Sequence, residues 1–281
     1  MKSAAIDRKY GFDLQVSPIS ATGQQWLALR SGSADIGSGS VLDLLRQRQA
    51  GLPARAFTTF QTYNNPVVVP ANSPIKSFVD LAGKKVGTPD PSLLDFMIIR
   101  AAGKKAFNLD VGTQATPTPA SPTLLLELLG KGQVDAALEF SSLTATPVAQ
   151  GQLRELTTVP QIMQQGGFNP KAFYLLISVT DAWSNAHPGG VTKLHDAMVE
   201  TFQMLMTQDE PWTALAAEVG LKGPAQVQGY MKSQRAVFQT EYSPQLLDAT
   251  TDLLNNLVSV AGKDAVGVSS VDPNAFIFPT K

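Results

Sequence analysis

The sequence predicts an α/β protein built of two similar lobes. Three observations carry that prediction. A Leu-x-x-Gly-x-(small apolar)-Asp-(apolar)-(small) pattern occurs twice, at 29–37 and 129–137. Strands alternate with helices around both copies, the pattern of sheets covered by helices. The chain has 281 residues, 43% of them hydrophobic and 16% charged, enough for more than one core.

The first copy reads Leu29-Arg30-Ser31-Gly32-Ser33-Ala34-Asp35-Ile36-Gly37, the second Leu129-Gly130-Lys131-Gly132-Gln133-Val134-Asp135-Ala136-Ala137. In each, an apolar helix ends at a glycine suited to the left-handed closing position. A polar link follows, and the Asp opens a strand that turns small and apolar, as a buried parallel strand does.

The elements follow in order. Residues 3–10 read as the end of a helix stopped by Gly11, and 12–16 alternate like a strand. Ser20-Ala21-Thr22 offer capping oxygens for a helix through Arg30. A strand at 35–37 leads to Ser38-Gly39-Ser40, which cap a helix over 41–50 closed by Gly51. Strands are expected over 54–60 and 67–69, separated by the turn Tyr63-Asn64-Asn65-Pro66. Residues 73–87 read as a turn, a short helix and a strand beginning at Lys84. Asp90-Pro91-Ser92 are expected to cap a helix reaching Lys105. The Pro-rich stretch 115–120 allows only a short edge strand. Pro122 sits early in the helix that reaches Leu129, where its missing N–H is harmless. Strands are expected over 134–140 and 173–179. From Asp181 the chain is mostly helical, with Leu194-Met198-Phe202-Leu205 and Leu246-Leu247-Leu253-Leu254-Leu257 at helical spacing. That tail is expected to pack on the first lobe.

Composition removes several functions. The net charge of −1 gives no footprint for nucleic acid. The absence of cysteine excludes disulfides, thiolate metal sites and cysteine nucleophiles. His187 and His195 read as surface or partly packed side chains rather than a metal pair, and no cofactor is expected. No apolar run approaches the roughly 20 residues of a membrane span, and the first residues lack the apolar stretch of a signal peptide. No Gly-x-Ser-x-Gly elbow, phosphate-binding P-loop or dinucleotide fingerprint occurs; Gly37-Ser38-Gly39-Ser40-Val41 has the wrong order. The chain is therefore not expected to be an enzyme.

In such sheets, ligands sit beyond the carboxyl ends of the strands. That rule selects loops 17–22, 37–40, 61–65, 88–92, 120–123 and 139–142. Several lead into helices whose starts carry Thr22, Ser40, Ser92, Ser121 or Thr123. Free N–H groups there suit anions, although Ser and Thr are also the ordinary caps of any helix. These loops hold no Arg or Lys. Glu139 points to other chemistry: a carboxylate there repels an anion and suits an amine, an amidine or a ring N–H. Its plainer role is a rim carboxylate bonded to backbone. Aromatic residues Phe60, Tyr63, Phe140, Phe173 and Tyr174 fall at the same ends. They suit a stacking wall, with core packing the alternative favoured for Phe60 and Phe173. Tyr63, in a polar turn, is the better ligand candidate.

Together, Tyr10-Gly11-Phe12-Asp13-Leu14, the segment Leu29 to Gly37, and the stretch Ile75-Lys76-Ser77-Phe78-Val79-Asp80-Leu81-Ala82-Gly83-Lys84-Lys85-Val86-Gly87 with Gln133-Val134-Asp135-Ala136-Ala137 resemble a known family. The chain is similar to the type II periplasmic solute-binding proteins of ABC importers, in the sulfonate, nitrate, taurine and thiamin-precursor branch. The resemblance runs from about residue 4 to 180.

It implies two lobes, residues 1–72 plus 172–281 and residues 73–171, with a ligand cleft between them that shuts by hinge motion. It also implies an extracytoplasmic, monomeric protein that hands a small-molecule ligand to an ABC permease in the membrane. By position, the family's ligand loops fall on Thr22, Gly23, Ser38, Gly39, Ser40, Thr62, Tyr63, Asn64, Ser92, Leu93, Leu94, Glu139 and Phe140. Phe173 joins this set from the aromatic cluster. One departure stands out: family members open with a strand that enters the middle of the first lobe, whereas this chain begins inside the following helix. A first strand is therefore expected to be missing. The leading ligand class is a small organic anion, a sulfonate or carboxylate, aromatic or not. The alternatives are a pyrimidine-like or amine-bearing ligand held through Glu139, or an enzyme or sensor reusing the fold.

Overall fold

The computed structural model describes residues 1, 4–17, 19, 23–218, 221 and 223–279. In chain order the elements are α1 (Ile6–Lys9), α2 (Gln24–Ser31), β1 (Ile36–Ser40), α3 (Val41–Gln49), β2 (Ala54–Gln61), β3 (Pro66–Pro70), a 3-10 turn (Phe78–Leu81), β4 (Lys85–Thr88), α4 (Leu94–Phe107), β5 (Thr116–Pro119), α5 (Pro122–Gly130), β6 (Ala136–Leu138), α6 (Ser141–Ala149), β7 (Leu153–Thr158), α7 (Val159–Gln165) and β8 (Leu175–Thr180). The helices α8 (Asp181–Ala186), α9 (Gly190–Thr207), α10 (Glu210–Glu218), α11 (Pro224–Arg235), α12 (Pro244–Ala261) and α13 (Lys263–Val266) follow, with a last 3-10 turn at Pro273–Ala275.

The chain divides into two compact units. The first holds Met1–Thr62, Phe173–Pro244 and Asp272–Lys281; the second holds Tyr63–Ala172 and Gln245–Val271. This differs from the sequence expectation at two segments and at Ala172, which groups with the second unit. Residues 63–72 fall in the second unit because β3 hydrogen-bonds to β6 and β7. Residues 245–271, expected on the first lobe, also group with the second unit.

The second unit's sheet has the order β5-β4-β6-β3-β7. β4 runs parallel to β5 and β6, while β3 runs antiparallel to β6 and β7. The first unit's sheet has the order β1-β8-β2, both pairings antiparallel. The sheets are thus mixed or antiparallel rather than the parallel ones that helix–strand alternation suggests: β8 returns from the second unit and inserts between β1 and β2, as β3 inserts between β6 and β7. The first unit repeats the β6-β3-β7 part of the second unit's plan.

The strand expected over 12–16 does not form. Its counterpart β5 leans on β4. Here no described strand takes the corresponding place beside β1, and a strand without a neighbour has no ladder. A cavity of about 880 Å³ lies there instead, lined among others by Phe12, Leu14, Ala34, Ile36, Trp183 and Leu194. The first unit's core lies on β2, β8 and the helices after them, with Phe57, Ile177, Val179, Leu194, Phe202 and Trp212 buried together. The helical spacing of Leu194, Phe202 and Leu205 is what buries one face of α9.

The repeated pattern has one local geometry in both units. Gly32 and Gly132 adopt φ of 72° and 66°. Ser33 N and Gln133 N donate to the carbonyls of Ala28 and Leu128 at 3.0 and 2.9 Å, closing the two helices alike. Asp135 then accepts from Lys85 N at 2.8 Å and tethers the start of β6 to β4. The Ile75–Gly87 stretch is also structural. Asp80 accepts from the backbone N–H groups of Lys76 and Ser77, each at 2.9 Å, and caps the 3-10 turn that leads into β4.

Sequence pattern gives no element over 141–165, where α6, β7 and α7 form. α6 carries Pro147 inside it and buries only Thr144, so it lacks the periodic apolar stripe that marks a helix.

Candidate functional site

In the second unit, two strand-end segments and the first turn of α4 are tied to one another. Just past the end of β6, Glu139 donates its N–H to Pro66 O at 3.0 Å across the start of β3. Ser141 N donates to Asn65 Oδ1 at 3.3 Å, and Asn64 Nδ2 donates to Ser141 Oγ at 2.6 Å. Asn65 Nδ2 reaches Asp95 Oδ1, on the first turn of α4, at 3.4 Å. Segments 64–66, 95 and 139–141 therefore form one polar patch at the strand ends.

Glu139 dominates its chemistry. The residue is 1% exposed. Oε2 accepts from Phe140 N at 3.0 Å, but Oε1 is buried and, among the described residues, has no partner. Among the described residues, no cationic side chain pairs with it. Burial pushes its carboxyl up to about 7, against the smaller lowering effect of the Phe140 N–H. Asn64 Oδ1 is a second buried oxygen without a partner on the same patch. A buried acceptor left open costs free energy unless something donates to it.

The other expected residues of this unit take different places. Tyr63 is 2% exposed, not the open ligand candidate its polar turn suggested. Asn64 and Asn65 direct their amides to Ser141 and Asp95, so the turn is polar for internal reasons. Burial, then the charge of Asp95, holds the Tyr63 phenol well above its usual range. Ser92 is exposed and does not cap α4. Its N–H instead bonds Asp90 Oδ1 at 2.7 Å, Leu93 takes the capping position, and the helix starts at Leu94, which is buried. Phe140 is 37% exposed at the start of α6.

In the first unit, Ser40 caps α3 as expected. Its Oγ accepts from Asp43 N at 3.1 Å and donates to Asp43 Oδ2 at 2.8 Å, so this hydroxyl is already committed. Ser38 is exposed on β1. Gly39 lies beneath the buried Trp26, and a Cβ there would overlap the indole ring. The glycine at 39 is thus a packing requirement of Trp26. Gly23 precedes α2 with φ of 89°, exposed and without a side-chain cap, while Thr22 lies outside the described residues. Thr62 N donates to Val237 O at 2.8 Å. Phe173 is fully buried and stacks on Tyr242 and Phe276, with ring centroids 5.0 and 5.8 Å away. It is a core residue, the alternative favoured from its apolar setting.

Three residues of the patch were not singled out from sequence: Asn65, Asp95 and Ser141. Asp95 had a readable signal, as the one carboxylate in the apolar run Leu93-Leu94-Asp95-Phe96-Met97-Ile98-Ile99. Among the described residues, no group of three or more His, Asp or Glu is placed to hold a metal ion. The patch can accept hydrogen bonds and pair with positive charge.

The description of the NMT1/THI5-like family matches residues 8–210. Two solved structures with strong likeness are sulfonate binders by name. The alkanesulfonate-binding protein SsuA from Xanthomonas axonopodis pv. citri, bound to MOPS, shares 17% identity over 99% of this chain and 92% of its own, with a TM-score of 0.75. The periplasmic aliphatic sulphonate binding protein SsuA from Escherichia coli shares 19% identity over 92% of this chain and 81% of its own, with a TM-score of 0.76. The Candida albicans CA3427 gene product, described as having the generic periplasmic binding protein fold, aligns over 94% of this chain and 87% of its own at 11% identity and a TM-score of 0.67. At such identities the likeness is one of fold. A search of curated proteins finds no match.

Proposed function

The chain belongs to the NMT1/THI5-like family, and from that premise we propose that it is the solute-binding component of an ABC importer. It captures a small organic solute outside the cytoplasm and delivers it to a membrane permease. Ligand contacts come from the strand-end loops: Gly23, Ser38 and Thr62 in the first unit, and Asn64, Ser92, Glu139 and Phe140 in the second. The observation that carries this reading is the buried Glu139 oxygen without a partner, at a strand end where such sheets place their ligands. Among the described residues, no helix is long and apolar enough to cross a membrane.

A small organic anion is the second reading of the ligand. Ser38, exposed beside the start of α3, favours it.

A thermal-shift panel of sulfonates, aromatic acids, pyrimidines and polyamines tests the role. Binding to the native state alone adds about 2.7 kcal/mol of stability at a ligand concentration of about 100 Kd. One compound class is expected to raise the midpoint selectively. A flat response to the whole panel would speak against a binding protein.

A further inference from the structure

We infer that the solute presents a nitrogen hydrogen-bond donor, an ammonium or amidinium head, to the carboxylate of Glu139. The inference rests on the binding-protein reading and deepens it.

Among the described residues, Glu139 lacks the partners that burial demands. Its side chain is almost wholly removed from water, yet Oε1 meets no donor. A buried carboxylate in a protein is ordinarily paired with a cation or bonded by several N–H groups. Among the described residues, Phe140 N alone serves it, and on the other oxygen. The backbone explains why the protein itself does not finish the job. The Glu139 N–H is spent on Pro66 O, Pro66 has no N–H to give, and the Ser141 N–H is spent on Asn65. These three backbone positions are therefore committed or lack a donor.

The second oxygen supports the same chemistry. Asn64 Oδ1 is also buried without a partner, and its residue is fastened to Ser141, two positions beyond Glu139. The patch thus offers two open acceptors held by neighbouring strand ends. Asp95 adds a further carboxylate beside Asn65. An anion entering here would meet acceptors and negative charge. A planar amidinium or an ammonium meets what it needs, since charge-assisted N–H···O bonds are about twice as strong as neutral ones. The exposed Phe140 ring, directly after Glu139, suits an apolar or aromatic body on the same molecule.

The test is titration calorimetry of the wild-type protein and Glu139→Gln with benzamidine and benzylamine, and with benzoate and benzenesulfonate as opposite-charge controls. Gln keeps the shape of the side chain and removes its charge. The wild type is expected to bind the cationic pair. Glu139→Gln is expected to bind it about tenfold or more weakly, the cost of losing one charge-assisted hydrogen bond. Equal binding of the cations by both proteins overturns the assignment. So does binding of benzoate or benzenesulfonate with no response to the cations; that result leaves the binding-protein reading intact. No binding of any of the four compounds also overturns the assignment, and the broader solute panel then decides the binding-protein reading separately.

Discussion

Glu139→Gln should stabilise the ligand-free protein at alkaline pH and leave it nearly unchanged in acid. The unfolded carboxyl gives up its proton near its ordinary value of 4.5, the folded one at about 7. Between those values the native state holds the extra proton, so stability falls as pH rises through that window. Above about pH 7 the native state carries a buried charge. At about 1.4 kcal/mol per unit, the full effect is on the order of 3 kcal/mol. Gln has no such titration. Urea unfolding of both proteins at several pH values is expected to give curves that converge near pH 4 and separate by about 3 kcal/mol at pH 8. Parallel curves would show that Glu139 is solvated in solution. A ligand cation on Oε1 should reverse the sign, by holding the carboxylate charged.

The largest loss of stability is expected at Asp110. Arg100, on α4, donates through Nε to Asp110 Oδ1 at 2.9 Å and through a terminal nitrogen to Oδ2 at 3.0 Å. The two side chains are 14% and 8% exposed. Burial works to raise the Asp110 carboxyl, but the Arg100 bonds and the Gly112 N–H hold it below its usual range. Asp110→Ala leaves the guanidinium buried and unpaired, a change that costs about 3–5 kcal/mol in comparable settings. Adding Arg100→Leu should recover a large part of the loss, because the orphaned charge goes with it. Chemical denaturation of the two variants measures both effects. A loss below about 1 kcal/mol for Asp110→Ala would place the pair among ordinary surface bridges.

In the second unit the sequence made the local turns legible, although not α6, β7 and α7. That unit's helix stops, its Ile75–Gly87 turn and its strand β6 are all written locally, in Gly132, Asp80 and Asp135. The first unit depends on β8, which joins β1 and β2 from more than 100 positions away, and no local pattern announces that insertion. Residues 12–16 have strand character without a strand beside them. At the site, Glu139 was legible as an acidic residue ending a repeated strand. Tyr63 was misread because polar neighbours usually mean solvent, and here Asn64 and Asn65 bond inward to Ser141 and Asp95. Ser92 was misread as a cap because Asp90 claims its N–H and delays α4 to Leu94.

Selection of one solute by this chain through Glu139 is directly measurable. Native mass spectrometry of the protein, incubated with an equimolar mixture of sulfonates, carboxylates, amines and amidines, measures that in one spectrum. The expected result is a single one-to-one adduct carrying an amine or amidine, strong in the wild type and weak in Glu139→Gln. An unliganded spectrum, or the same adduct at the same strength in both proteins, would contradict it.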